Sequence, residues 1–387
     1  MTRVLFVDDD ERVLDGLRRM LRMSHDGWEL AFADSGPAAL AALAEEPADV
    51  VVSDMRMPGM DGVALLTEIR HRHPGTIRII LSGHTELEAA YRSIPVAHQF
   101  LSKPCDPAVL RLAVSRASAL QSRLRAPELQ EMLGRIDALP SPPQSLVALN
   151  AMLADRHTGV GAIAGVIERD VAMAAKVLQL VNSAFFGLPR AITDLRQAVS
   201  YLGFVNLRNV VAMAGVFRAF PAEGQVAHLM AEVETHSACT AAVARELFAG
   251  VLDPPTLEEL TVGALLHDVG MLVLAAGIPD AIGALLDEGP AGPDRCRAER
   301  ERFGADHATV GASLLAVWGL PIPIVEAVAW HHEAESLPDP RLDAVHATHV
   351  ADILASGDGP LDPAYVETLG ITDLVAEWRA GHPGPRG

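Results

Sequence analysis

The sequence predicts two domains. A doubly wound, parallel five-stranded α/β sheet covers residues 1–120, and an all-α domain covers residues 139–350. Three observations predict this. Short apolar, β-prone runs alternate with amphipathic stretches through the first 120 residues, the pattern of a parallel sheet covered on both faces. From Gln144 to about Trp378, apolar residues recur at three-to-four spacing, rich in Ala, Leu and Val, with no convincing strand. Between the two regions, Leu139-Pro140-Ser141-Pro142-Pro143 stops any helix, because successive prolines cannot continue one.

Taken in order, Val4–Val7, Glu29–Ala33, Val50–Ser53, Ile77–Leu81 and His98–Leu101 read as strands. Glu11–Met23, Pro37–Glu46, Val63–His73, Glu86–Ser93 and Pro107–Ala119 read as helices. Asp10 is a favoured residue for capping the helix that begins at Glu11. Residues 121–138 are polar and bear Arg and Leu, and are expected to extend the last of these helices into a linker. The helical domain breaks at Gly187-Leu188-Pro189, Asp253-Pro254-Pro255 and Gly289-Pro290, which implies ten or more helices in a non-bundle arrangement. Residues 351–387 form a C-terminal helix and a Pro/Gly-rich tail expected to fray. Trp318-Gly319-Leu320-Pro321 reads as a helix end with a core aromatic.

Composition narrows the function classes. With 387 residues, half of them hydrophobic, the chain can bury more than one core. A formal net charge of −19 opposes non-specific binding to nucleic acid or anionic membrane. The stretch Leu195–Ala214 has the look of a helix-turn-helix but lacks a basic recognition face. No uninterrupted apolar run is expected to span a bilayer, and no charged-then-apolar leader opens the sequence. Cys105, Cys239 and Cys296 are scattered without a CxxC pair, which points to a reducing, cytoplasmic setting. Lys103 and Lys176 are the only lysines among 31 Lys and Arg residues. A lysine retained at 103 against that bias suggests that a compact ammonium is needed there.

Five fragments place polar residues just past apolar runs: Asp8-Asp9-Asp10, Asp54, the turn Met57-Pro58-Gly59-Met60-Asp61-Gly62, Ser82 and Lys103-Pro104. In an open parallel sheet the active edge lies outside the carboxyl ends of the strands. Clustered carboxylates repel unless a cation is present, and Mg²⁺ prefers a few carboxylates plus waters and phosphate oxygens. Three carboxylates, a hydroxyl and a lysine at that edge can hold such a cation and a phosphoryl group.

These fragments, in this order, resemble the flavodoxin-like receiver domain of bacterial two-component response regulators. The resemblance implies that Asp54 is the phosphoacceptor, taking its phosphoryl group from a sensor histidine kinase or phosphotransfer protein. It implies that Asp8, Asp9 and Asp54 bind Mg²⁺ with the backbone carbonyl of Arg56. It further implies that Ser82 and Lys103 sense the phosphoryl group and that Phe100 changes rotamer with Ser82.

In the second domain, Val166-Ile167-Glu168-Arg169-Asp170, Leu178-Gln179-Leu180-Val181-Asn182-Ser183-Ala184-Phe185-Phe186-Gly187 and Ala198-Val199-Ser200-Tyr201-Leu202-Gly203 resemble the HDOD domain, a helical output module related to metal-dependent HD phosphohydrolases. Asn182-Ser183 is expected to end one helix or cap the next. Further on come His236, His267-Asp268, His307, His331-His332 and Asp352. This order is similar to the divalent-metal ligands of HD phosphohydrolases, and imidazole with carboxylate suits Fe, Mn, Ni or Zn. On one continuous helix, adjacent His267 and Asp268 diverge by about 100°, so they can share an ion only where a helix ends. Two departures stand out. Met271 replaces the lysine of many HD hydrolases, and a thioether cannot orient a phosphate. No Gly-Tyr-Pro follows His331-His332-Glu333, so the cyclic-di-GMP hydrolase subclass is not matched.

The expected function is phosphorelay signalling. Asp54 phosphorylation would control an output domain acting mainly through another signalling protein, with a homodimer as a further option. The competing readings are a receiver-regulated metal-dependent phosphohydrolase acting on a nucleotide or cyclic dinucleotide, and a nucleotide-binding module without turnover.

Overall fold

The structure, a computed structural model, describes residues 2–22, 27–82, 96–123, 129, 131, 139–141, 143–154, 158–183, 191–212, 217–219, 224–289, 292–337, 340–357 and 361–382. The N-terminal unit runs β1 (Arg3–Val7), α1 (Glu11–Arg22), β2 (Glu29–Ala33), α2 (Gly36–Glu45), β3 (Val50–Asp54), α3 (Gly62–Arg72), β4 (Ile77–Ser82), β5 (Gln99–Ser102) and α4 (Pro107–Arg123). All pairings are parallel, in the order β2-β1-β3-β4-β5. Val4–Val7 and Val50–Val52 are buried, as a sheet covered on both faces requires. Asp61 caps α3 by accepting from Ala64 N–H at 2.8 Å. The expected helix Glu86–Ser93 and most of the linker 121–138 lie outside the described residues.

The second unit comprises β6 (Leu139–Ser141), α5 (Pro143–Ala154), α6 (Val160–Ile167), α7 (Val171–Val181), α8 (Leu195–Ala212), β7 (Phe217–Ala219) and α9 (Gln225–Phe248). It continues with α10 (Pro254–Leu266), α11 (Val269–Gly277), α12 (Pro279–Asp287), α13 (Gly292–Phe303), α14 (His307–Val317), α15 (Ile322–Trp330), a 3₁₀ turn (Ala334–Ser336), α16 (Ala344–Ser356), α17 (Pro363–Thr368) and α18 (Thr372–Gly381). One expectation needs correction. Phe217–Ala219 is a strand inside the region read as strandless, and it pairs in parallel with Leu139–Ser141. Three residues are too few for alternating polarity to register.

Asn182 caps the end of α7, and its side chain clamps Ile192 by donating to the carbonyl at 2.8 Å and accepting from the amide at 2.6 Å. α8 kinks at Gly203 (φ 72°, ψ 159°), so its two halves are not one straight helix. Pro254–Gly277 is long and apolar enough to cross a membrane by length and composition, contrary to the sequence expectation. Its most apolar 18-residue window is 78% buried, however, and the segment breaks at His267-Asp268, as a core segment does.

One apolar core runs from the sheet into the helical unit, joining Leu101 and Val114 to Met173, Leu314 and Trp318. α4 packs on α14. At this junction the buried Gln179 side chain on α7 donates to the His98 carbonyl at 3.0 Å. A second core joins α9, α10 and α16 to α17 and α18.

Candidate functional sites

At the carboxyl edge of the sheet, β1 delivers Asp8, β3 delivers Asp54, and the segment after β5 delivers Lys103. Lys103 Nζ donates to Asp8 Oδ2 at 2.7 Å and pairs closely with Asp54 Oδ1. Asp10 N–H donates to Asp8 Oδ1 at 2.9 Å, and Arg56 N–H donates to Asp54 Oδ2 at 3.0 Å. Asp8 and Asp54 are buried and Asp9 is exposed, with one oxygen from each lying within 4.8 Å of the others. Gly62 has to be glycine here, because a Cβ would sit 2.2 Å from the Asp54 carbonyl oxygen. Phe100 is buried on β5. Ser82 ends β4 opposite Ser102, but its side chain lies outside the described residues, as do Gly83 and His84.

Burial raises the Asp54 carboxyl above its ordinary value and Asp8 adds repulsion, while Lys103 and the Arg56 amide oppose them. Burial pulls the Lys103 ammonium down, but Asp54 and Asp8 outweigh it and leave its pKa raised. The two directions are compatible, because one ammonium is shared by two buried anions and the shortfall falls on Asp54. The trio therefore favours an added cation.

The helical unit holds a second cluster. α9 carries His236, α10 ends at Leu266, and α11 starts at Val269 with Asp268 as its N-terminal flank (φ −96°, ψ 11°). The helix breaks at the one place that lets neighbouring His267 and Asp268 face a common point. α14 begins with His307, His331-His332 follow α15, and α16 contributes Asp352. All seven side chains converge. His236 Nε2 lies 2.8 Å from Asp352 Oδ1, and His267 Nε2 lies 3.4 Å from Asp268 Oδ2 and 3.7 Å from Asp352 Oδ1. Asp268 Oδ1 lies 3.3 Å from His307 Nε2 and 3.6 Å from His331 Nε2, and His332 Nδ1 lies 3.8 Å from Asp352 Oδ2.

The outer bonds fix which nitrogen points inward. His267 Nδ1 bonds the Ala264 carbonyl at 2.7 Å, and His331 Nδ1 bonds the Val328 carbonyl at 2.8 Å. Buried Glu299 on α13 accepts from both His307 N–H and His307 Nδ1, each at 2.7 Å. Each Nε2 is thereby turned toward the centre, where it becomes a lone-pair donor once a metal displaces its proton. Among the described residues His331 Nε2 is buried without a hydrogen-bond partner, as a ligand atom facing an ion would be. This donor set fits divalent metal, with Asp268 placed to serve two groups of imidazoles. Glu299 escaped the sequence reading, since a lone glutamate in an Arg/Glu-rich helix carries no signal. Gly270 lets α11 and α14 touch, because a Cβ there would lie 1.9 Å from the His307 carbonyl oxygen.

The charges are strongly redistributed. Burial lowers His267, but Asp268 and Asp352 overcome it and push it up to about 9. Burial likewise opposes His307, yet Glu299 and Asp268 hold it well above its ordinary value. Burial and neighbouring imidazoles push His331 down and His332 well down. Against its own burial, Asp268 is held well below the carboxylate range by His267, His307 and His331. Asp352 is lowered in the same way, chiefly by His236 and His267.

A carboxylate trio and a lysine at the edge of a five-stranded parallel sheet, followed by a helical output unit, define a response regulator. Residues 4–115 match the response regulator receiver domain and residues 139–334 match the HDOD domain. The latter covers half the chain, which therefore belongs to the HDOD family. Receiver domains use Mg²⁺, and HD-type domains are metal-dependent.

An uncharacterized protein of Treponema pallidum is 24% identical over 269 residues, covering 66% of this chain and 50% of that one. The DNA-binding transcriptional regulator NtrC of Salmonella typhimurium is 38% identical over 132 residues, covering 34% of this chain and 28% of its own. The chain thus spans half or less of the length of these curated relatives. The MmoQ response regulator of Methylococcus capsulatus shares the fold at a TM-score of 0.50 and 24% identity, over 62% of this chain and 98% of that one. A virulence factor of Campylobacter jejuni does so at 0.50 and 19% identity, over 66% and 91%.

Proposed function

We propose that this response regulator accepts a phosphoryl group on Asp54 and thereby controls a metal-dependent phosphohydrolase in its output domain. The single observation that carries the hydrolase reading is the convergence of His236, His267, Asp268, His307, His331, His332 and Asp352, with their outer hydrogen bonds turning the Nε2 atoms inward. The substrate class is a phosphate ester, a nucleotide or cyclic dinucleotide being the candidates. Divalent ions such as Fe or Mn, when bound there, supply an activated water and polarise a phosphoryl oxygen. The chain's own residues do the rest. Glu299 orients His307, carbonyls orient His267 and His331, and the partly exposed His236, His332 and Asp268 form the open side.

In the receiver, Asp8, Asp9 and Asp54 would hold Mg²⁺ with the Arg56 carbonyl. Lys103 would neutralise the phosphoryl group, with Ser82 and Phe100 as its sensors. A contact route supports control of one site by the other. β5 carries Phe100, α4 follows it and packs on α14, and α14 starts with His307.

A second reading retains a specific observation in its favour. Met271 is fully buried where many HD hydrolases carry a phosphate-binding lysine. That favours an output that binds a signalling protein, or a nucleotide without turnover, in a chain acting in the cytoplasm with or without homodimerisation.

The test is turnover. The protein loaded with Mn²⁺ or Fe²⁺ is assayed against a phosphodiester and a cyclic dinucleotide panel, with and without beryllofluoride. Metal-dependent hydrolysis lost in His267→Ala/Asp268→Ala supports the hydrolase. Stoichiometric metal without turnover on any substrate supports the binding output.

A further inference from the structure

α15 ends at Trp330, and the carbonyls in the last turn of a helix have no intrahelical partner. Side chains and the following turn supply them here. The Val328 carbonyl is met by His331 Nδ1 at 2.8 Å, and the Trp330 carbonyl accepts from Glu333 N–H at 2.9 Å. The His331 carbonyl is met from another helix: His349 Nδ1, on α16, lies 2.6 Å away. A carbonyl can only accept, so His349 carries a proton on Nδ1.

That carbonyl belongs to the planar peptide joining His331 to His332. The two imidazoles face different carboxylates. His331 Nε2 lies 3.6 Å from Asp268 Oδ1, and His332 Nδ1 lies 3.8 Å from Asp352 Oδ2. Their ring centroids are 4.0 Å apart. Rotating the peptide between them would swing one ring relative to the other, and holding its oxygen fixes the angle between them.

The surroundings of His349 suit that task. It is buried and stands three residues before Asp352, so one face of α16 presents Asp352 to the cluster and His349 to the corner beside it. Tyr365 of α17 packs edge-on against its ring, with centroids 5.7 Å apart and planes at 83°. His349 Nε2 faces Glu335 Oε1 at 3.5 Å, longer than an ordinary hydrogen bond, which leaves the carbonyl as the ring's strong contact. α15 and α16 both close on α10 at Gly263, where a Cβ would lie 2.8 Å from Ala327 Cβ and 3.4 Å from Thr348 Oγ1. His346, three residues earlier and also buried, bonds Asp343 at the start of α16 at 2.9 Å instead.

We infer that His349 is a positioning residue for the histidine cluster: its bond to the His331 carbonyl fixes the peptide that aims His331 and His332 together. The inference rests on the metal reading of the cluster and gives His349 no contact with metal or substrate.

The experiment is Co²⁺ titration of the protein, followed by the visible absorption that reports coordination geometry, with thermal unfolding of each metal-free variant alongside. His349→Leu removes the donor. His349→Asn keeps one, because the Asn amide nitrogen, like Nδ1, is attached to Cγ. His346→Leu removes a buried imidazole from the same helix without touching His331. His349→Leu is expected to weaken Co²⁺ binding about 10-fold or more and to change the absorption envelope. His349→Asn should recover most of the affinity and the wild-type envelope, and His346→Leu should lower the melting temperature while leaving both unchanged. Where His349→Leu fails to fold, His349→Gln replaces it, since its amide sits one bond farther out and misses the carbonyl. Wild-type affinity and absorption in the donor-less variant overturn the inference, as do equal losses in His346→Leu, and either result leaves the cluster a metal site. A wild type without saturable Co²⁺ binding overturns the metal reading itself and this inference with it.

Discussion

Glu299→Gln isolates what one outer carboxylate does for the histidine cluster. Glu299 Oε2 accepts two bonds from His307, each 2.7 Å long, at full burial. Alanine would strip both donors, at about 1–3 kcal/mol for each unsatisfied group, and so confuse folding with binding. Glutamine keeps an oxygen in place but removes the charge, and charge-assisted hydrogen bonds are about twice as strong as neutral ones. Loss of such an outer partner typically weakens metal binding about 10–100-fold. Converted at about 1.36 kcal/mol per decade, that is roughly 1.4–2.7 kcal/mol. The assay is chelator competition for Mn²⁺ and Zn²⁺, with circular dichroism confirming the fold. Competition curves that superimpose on wild type would refute the claim that His307 reaches a metal through Nε2.

Other outcomes follow from the same geometry. Asp54→Asn should abolish the spectroscopic response to beryllofluoride and Mg²⁺, and an undiminished response would remove Asp54 as acceptor. Gln179→Leu leaves the His98 carbonyl without its donor at the domain junction. It should lower unfolding free energy by about 1–3 kcal/mol in urea titrations and blunt the effect of beryllofluoride on the output, whereas wild-type behaviour in both would show that this contact is dispensable. Gly270→Ala forces α11 from α14 at the His307 carbonyl, so its metal content and melting temperature should both fall; retention of both would contradict the close packing. Burial and Asp106 push the Cys105 thiol up to about 11. Because the thiolate is the reactive form, Cys105 should label slowly at pH 8 and about tenfold faster per pH unit until pH approaches that value. Exposed Cys239 should label first, and equal rates for the two at pH 8 would be inconsistent with this burial.

The receiver half was legible because its chemistry sits at strand ends, where apolar runs stop at polar residues. Asp8, Asp54 and Lys103 could be placed at one edge from pattern alone. In the helical half, residue types gave the order of His and Asp but not their convergence. Whether His267 and Asp268 face one point depends on a helix break after Leu266, and no Gly or Pro marks it. Glu299 was illegible because its role arises from tertiary contact with His307, eight residues on. The junction through Gln179 and His98 was equally hidden, since it pairs segments 81 residues apart. The β6–β7 pair was missed because three-residue strands leave no period to read.

The most direct test is metal analysis of the purified protein beside His267→Ala/Asp268→Ala. The wild type should carry divalent transition metal in stoichiometric amount and the double variant almost none, with both chains folded. A wild type that stays metal-free after reconstitution with Fe²⁺, Mn²⁺ and Zn²⁺ would contradict the account at its centre.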